Sequence, residues 1–257
     1  MSARGLGVML GSGLAALLAL GCQGGLQGPV VLDDDDDTGD DDTGDDDTAD
    51  DDTGDDDTAD DDTGDDDTAP PCPSYDSQEE EYAPIQTTGA GLPAGASALT
   101  WDRPAAYVWL GAFSGTPGQP ASHEGVDYVH DDPGVATVEL RAAADGVVAY
   151  VRLGCPQSSE FSHNNSLREC GAGWGNHVVL HHGGELYTRY AHNKPGATFV
   201  QVGDAVARGD VLAQMGNSGR SETRHLHFEL GTFAAGFDPC IAAQSMDAVH
   251  DAELLTY

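Results

Sequence analysis

Five side chains between residues 123 and 227 of this 257-residue chain have the types and spacing of a metal-hydrolase site. His123 and Asp127 form a His-x-x-x-Asp pair, His192 closes Thr188-Arg189-Tyr190-Ala191-His192, and His225 and His227 form a His-x-His. Imidazole nitrogen and carboxylate oxygen are donors that borderline-soft Zn²⁺ accepts readily. Three such ligands leave a fourth position open for a reactive water. On a strand, residues two apart share a face. His225 and His227 therefore project together, with Leu226 toward the core behind them, and the four-residue step puts His123 and Asp127 on one face as well. Alone, a His-x-His is more often a solvated strand face; the conjunction of the pieces carries the reading.

The elements that must position these groups read as strands. Short apolar runs recur at Ala105-Ala106-Tyr107-Val108-Trp109-Leu110, Gly146-Val147-Val148-Ala149-Tyr150-Val151, His177-Val178-Val179-Leu180-His181, Leu186-Tyr187-Thr188-Arg189-Tyr190-Ala191, Val211-Leu212-Ala213-Gln214-Met215 and Leu226-His227-Phe228-Glu229-Leu230. Gly, Asn, Asp and Pro punctuate them, which predicts a mainly β, antiparallel, sandwich-like domain. His182-Gly183-Gly184-Glu185 between two runs reads as a hairpin turn. No helical period is sustained in the domain, apart from a short helix expected around residues 247–255.

Before the domain the chain is of a different kind. Residues 1–22 read as an export signal, with Arg4 followed by an uncharged apolar stretch too short to span a bilayer confidently. Gly21-Cys22 after that stretch resembles a bacterial lipobox, making Cys22 the expected lipid attachment site; plain secretion is the alternative. Residues 23–71 form a linker dominated by Asp-Asp-Asp-Thr-Gly/Ala repeats. Between residues 33 and 69 lie 23 Asp and no base, so of the formal charge of −35 only about −12 belongs to the rest. With nothing to bury and repulsion at every step, this segment is expected to be a disordered spacer, extending to at most roughly 160 Å. Divalent cations held loosely on the repeats are the alternative use, although the EF-hand pattern is lacking. Residues 72–100 read as a strap and 101–257 as the domain. No basic patch is available for phosphates, which excludes nucleic acid as a partner. Beyond Cys22, four cysteines remain in an exported chain, and two disulfides are expected. Of three pairings, Cys155–Cys170, closing a short loop, and Cys72–Cys240, pinning the domain's ends, are favoured.

The stretch from Ser122 to Leu230 resembles the lysostaphin-type (LytM-like) zinc endopeptidases that cleave peptidoglycan peptides. The resemblance rests on His123-x-Gly125-x-Asp127, Ala144-Asp145-Gly146-Val147-Val148, Gly173-Trp174-Gly175-Asn176-His177, Tyr190-Ala191-His192, Val202-Gly203-Asp204, Met215-Gly216-Asn217-Ser218-Gly219 and His225-Leu226-His227-Phe228-Glu229. It implies a duplicated hybrid motif fold, one Zn²⁺ per domain held by His123, Asp127 and His227, and catalytic roles for His192 and His225. It also implies a cell-wall peptide substrate, with the membrane reached only through the lipid anchor. The competing reading is a non-catalytic relative that binds wall or regulates another hydrolase; such relatives typically lack a ligand, whereas all five positions are filled here. Val202–Ala213 also looks like half of a biotinyl carrier fold, but the turn at Met215-Gly216-Asn217 has no lysine to carry a cofactor.

Other polar groups are expected to stand aside. Glu124 and Glu229 are taken to face away from their neighbouring ligands and receive no role. His163, His177, His181 and His182 read as exposed strand-end or turn histidines, and His130 and His250 have no motif partners. The long connection between Val151 and Gly173 is expected to wall the substrate cleft, stiffened by its disulfide.

Overall fold

The computed structural model describes residues 86–106, 109–242 and 244–257. Cys22, the acidic repeats and Cys72, and with them the expected Cys72–Cys240 link, lie outside the described residues.

The domain is mainly β, as the short alternating runs predict. Its strands are β1 (Thr87–Thr88), β2 (Trp109–Gly111), β3 (Val126–Val129), β4 (Glu139–Arg141), β5 (Gly146–Arg152), β6 (Asn176–His181), β7 (Leu186–Thr198), β8 (Ala205–Val206), β9 (Val211–Met215), β10 (His225–Thr232) and β11 (Ala248–His250). The sheet runs in the order β1-β11-β10-β7-β6-β5-β8, with β3 also on β10, β2 on β3, and β9 joining β4 to β7. All these pairings are antiparallel except β1 with β11. The β6–β7 hairpin forms across the Gly183-Gly184 turn, where both glycines have positive φ.

Alternation along β10 decides which face becomes core. Leu226, Phe228 and Leu230 pack with Leu140, Val148, Val178, Leu180, Leu186, Tyr190, Leu212 and Met215. Each fully buried side chain of this kind contributes about 1.5–3 kcal/mol. A second cluster of Tyr150, Val179, Tyr187, Met246 and Val249 forms separately. Val178 and Leu180 belong to the first cluster and Val179 to the second, so β6 is buried on both faces. The expected C-terminal helix is not formed. Ala248–His250 pairs along β10 instead, and only one 3₁₀ turn, Ala252–Leu254, follows, capped by Asp251 on the Glu253 N–H. So short a segment gains more from completing a sheet edge than from nucleating a helix.

The β5–β6 connection carries the expected Cys155–Cys170 disulfide, with Cα atoms 5.6 Å apart. Buried Asn164 docks it: Oδ1 accepts from the Ser158 N–H, and Nδ2 donates to Gly219 O at 2.8 Å. The Cys155→Ala/Cys170→Ala variant is expected to lose about 3 kcal/mol of unfolding free energy, the loop-closure value for a 15-residue loop. Urea denaturation checks this, and an unchanged midpoint would show that the amide contacts hold the loop without the bond.

Candidate metal and catalytic site

Antiparallel register brings the distant motifs together. His227 on β10 stands directly across from Asp127 on β3 and from Ala191 on β7. Side chains of directly opposed residues share a face, so the Asp127 carboxylate meets the His227 ring, with Oδ1 2.9 Å from Nδ1. His123 lies before β3, bridged to Ser114, and its Nε2 is 3.2 Å from Asp127 Oδ2. Ligand atoms of His123, Asp127 and His227 all lie within 4.8 Å of one another. Gly125 is what permits this approach: a Cβ there would sit 2.5 Å from Phe228 O and 2.8 Å from His227 Cε1. The glycine of the His-x-Gly-x-Asp stretch is thus a steric requirement of the cluster.

The tautomers suit a metal. His123 Nδ1 lies 2.7 Å from Ala112 O, an acceptor only, so Nδ1 carries the proton of the neutral ring and the Nε2 lone pair is left for an ion held beside Asp127. His227 turns Nδ1 to Asp127 and Nε2 to Glu229 Oε1, 3.3 Å away. Two imidazole nitrogens and one carboxylate converging in this way fit Zn²⁺. Within the cluster each charge depends on its neighbours. The hydrogen bond to Asp127 raises the His123 pKa against burial. Burial would raise the Asp127 carboxyl, but hydrogen bonds from His123 and His227 outweigh it and hold it below the usual range. Burial would likewise lower His227; Asp127 and Glu229 reverse the effect and push it up to about 10.

His192 and His225 stand beside this cluster, their rings 4.6 Å apart. His225 shares the β10 face with His227, and its Nε2 is 3.7 Å from Asp127 Oδ1. His192 follows β7's Ala191 with φ 61°, where the β6–β7 register is irregular. Left-handed backbone at a non-glycine residue costs on the order of 1–3 kcal/mol and is concentrated at functional sites. The Nδ1 of each ring meets a carbonyl at 2.8 Å, Ser218 O for His192 and Thr223 O for His225. Nε2 is therefore the proton-accepting nitrogen in both. Burial lowers both pKa values, helped at His192 by the charges of His225 and His227 and countered at His225 by Asp127. Both rings are thus neutral at neutral pH.

These groups open into a cleft of about 320 Å³. Its wall includes Ala172, Gly173 and Trp174 from the β5–β6 connection, as that connection's length predicts, and residues 220–223 form a further part. The two segments are joined by the Arg220 N–H to Gly173 O and by the Arg168–Glu222 and Arg220–Glu169 ion pairs. None of residues 86–100 lines the cleft.

Three expectations need correction. Glu229 does not face away: it lies two residues from His227, an even step on a strand, and its buried carboxylate touches that ring. Glu124, which precedes β3, lines the cleft. His177 is also not exposed. It is fully buried, stacked on Tyr150 with ring centroids 5.3 Å apart and edge-on to Trp174 at 5.8 Å. Burial, reinforced by the charge of Arg189, lowers its pKa to about 3. Its neutral form is the one that folds, so its contribution is complete above pH 6.5 and lost as pH falls from 6.5 toward 3. Thermal midpoints are therefore expected to fall through this window, with a shallower slope in His177→Gln; equal slopes would refute the assignment. His163 is exposed beside Glu222, while His181 stacks on Tyr187 and His182 bonds Asp145 O and Thr188 Oγ1, so none of the three joins the metal cluster.

Residues 121–239 match Peptidase family M23. The peptidoglycan DD-endopeptidase ShyA of Vibrio cholerae serotype O1 is 43% identical over 56 residues, covering 22% of this chain and 13% of ShyA. From the same organism, the peptidoglycan DD-endopeptidase ShyC is 31% identical over 112 residues, covering 44% of this chain and 21% of ShyC. The murein hydrolase activator NlpD of Escherichia coli is 30% identical over 131 residues, covering 51% of this chain and 28% of NlpD. The matched stretch spans less than a third of each of these relatives. The match to Peptidase family M23 spans residues 121–239, the part of the chain that holds the whole candidate site.

Proposed function

We propose that the protein is a zinc-dependent endopeptidase that hydrolyses peptide cross-links of peptidoglycan. The observation that carries this is the convergence of His123, Asp127 and His227, with neutral His192 and His225 beside them, on one open cleft. His123 Nε2, an Asp127 oxygen and His227 Nδ1 would hold the ion. An ion bound there would supply Lewis acidity to a water and to a peptide carbonyl. The chain's own residues do the rest. His225 and His192, each anchored through Nδ1–H, present Nε2 to take a proton from the attacking water and return it to the leaving amine. The same groups, once protonated, donate hydrogen bonds to the developing oxyanion. Trp174 and the 220–223 segment hold the peptide against them.

In this proposal residues 1–22 direct export and Cys22 carries the lipid. Residues 23–71 span from membrane to wall, 72–100 lead in, and 101–257 do the chemistry. Intact-mass analysis of the mature N-terminus tests the anchor.

A second reading, activation of another wall hydrolase, is favoured by the similarity to NlpD. One experiment separates the two. Purified protein is incubated with peptidoglycan, with and without zinc, and released fragments are weighed by mass spectrometry. Fragments that depend on zinc support the endopeptidase, and their masses name the bond. Stoichiometric zinc without release, together with stimulation of an added wall hydrolase, would overturn it in favour of the activator.

A further inference from the structure

The strand face that presents His225 and His227 also carries Glu229, and behind Glu229 lies a second layer of buried polar groups that the proposed chemistry does not use. Glu229 and Arg189 are both completely buried. Glu229 Oε1 accepts from Trp174 Nε1 at 2.6 Å and lies 3.3 Å from His227 Nε2. Its Oε2 is 3.2 Å from Arg189 Nε, an ion pair without hydrogen-bond alignment. The Arg189 guanidinium sits 3.4 Å over the Trp174 ring and donates from Nη2 to Gln244 O.

We propose that Trp174, Glu229 and Arg189 form one positioning layer that orients His227, sets how tightly the site holds zinc, and ties the cleft wall to the metal. This rests on the reading of His227 as a ligand. An ionised carboxylate only accepts, so Glu229 requires its proton from Nε2 and leaves the Nδ1 lone pair for the ion. A carboxylate in a dry interior requires a compensating cation, and Arg189 supplies it. The indole N–H adds a second donor, and the guanidinium stacked on its face fixes the ring from the other side. Trp174 also lines the cleft, so one side chain is both substrate wall and part of the support of a ligand. Arg189 is a positioning residue that acts through Glu229 rather than a chance core arginine.

The test is zinc affinity of the full chain, measured by competition with a chromophoric chelator, together with the absorption spectrum of the Co²⁺-loaded protein. Neither readout needs peptide release. Glu229→Gln is expected to weaken zinc binding roughly 10- to 100-fold. Trp174→Phe keeps the wall and the stacked face but removes the N–H, and roughly a three- to tenfold loss is expected. Arg189→Met strands the Glu229 charge; if that variant does not fold, Arg189→Met/Glu229→Gln removes both charges. The double variant should then show the weak zinc binding of Glu229→Gln, and all variants should shift the cobalt bands. Variants that lose thermal stability but keep zinc affinity within twofold and an unchanged cobalt spectrum would reduce the layer to ordinary core and overturn the proposal. Absence of zinc binding by the native chain would instead overturn the ligand reading, and this proposal with it.

Discussion

Asp127→Asn is expected to leave a folded protein that no longer retains stoichiometric zinc and releases wall peptides at least about 1,000-fold more slowly. The magnitude follows from the several kcal/mol of charge stabilisation that a catalytic metal supplies, at about 1.4 kcal/mol per tenfold in rate. Asp127 is the hub of the cluster, with one oxygen 3.2 Å from His123 Nε2 and the other 2.9 Å from His227 Nδ1. An amide cannot balance the charge of the ion, and its NH₂ group presents donors where acceptors are required. The side chain is not part of the apolar core, so the fold should survive, which circular dichroism would verify. Zinc and protons compete for the same nitrogens, so native affinity should also tighten as pH rises. The assignment fails if Asp127→Asn binds zinc within a few-fold of the native protein and still cleaves.

His225→Ala and His192→Ala should behave differently from that variant. Each is expected to keep zinc at one per chain while peptide release falls about 100- to 10,000-fold, the range for a positioned acid–base group. The structural ground is that neither ring joins the three-residue ligand cluster, although His225 Nε2 reaches to 3.7 Å from Asp127 Oδ1. Because burial lowers both pKa values below 6.5, the acid limb of the native pH–rate profile should lie below pH 6.5. Loss of zinc in His225→Ala would place that residue among the ligands. Unchanged release in both variants would leave the proposed proton transfers without a carrier.

The expected and observed sites differ where strand periodicity meets tertiary cover. The pairing of His225 with His227, and the burial of Leu226 behind them, follow from a period of two and hold in the structure. Glu229 stands on the same period, two residues beyond His227, so its contact with the ring was within reach of the sequence once the step was counted as even. His177 was not within reach. Alternation separates the faces of a strand but does not say whether the second face is covered, and here Tyr150 and Trp174 cover it. The β5–β6 connection announced itself by length and by Cys155 and Cys170, yet its docking on residues 216–221 depends on side-chain amides such as Asn164 and Asn217, whose partners are far away in the chain.

From the sequence alone came the strand-rich domain, the donor types, the spacing that puts pairs of donors on shared faces, and the change of character at the end of the acidic repeats. These are local properties, set by composition and by the two-residue period of a strand. The tertiary structure alone decided that His227 opposes Asp127 across β3 and β10, that His192 turns inward at φ 61°, and that Arg189 lies behind the site as the partner of Glu229. Those relations join residues as much as about a hundred positions apart. They depend on strand register and on which charges must be compensated once water is excluded, and no local pattern encodes either.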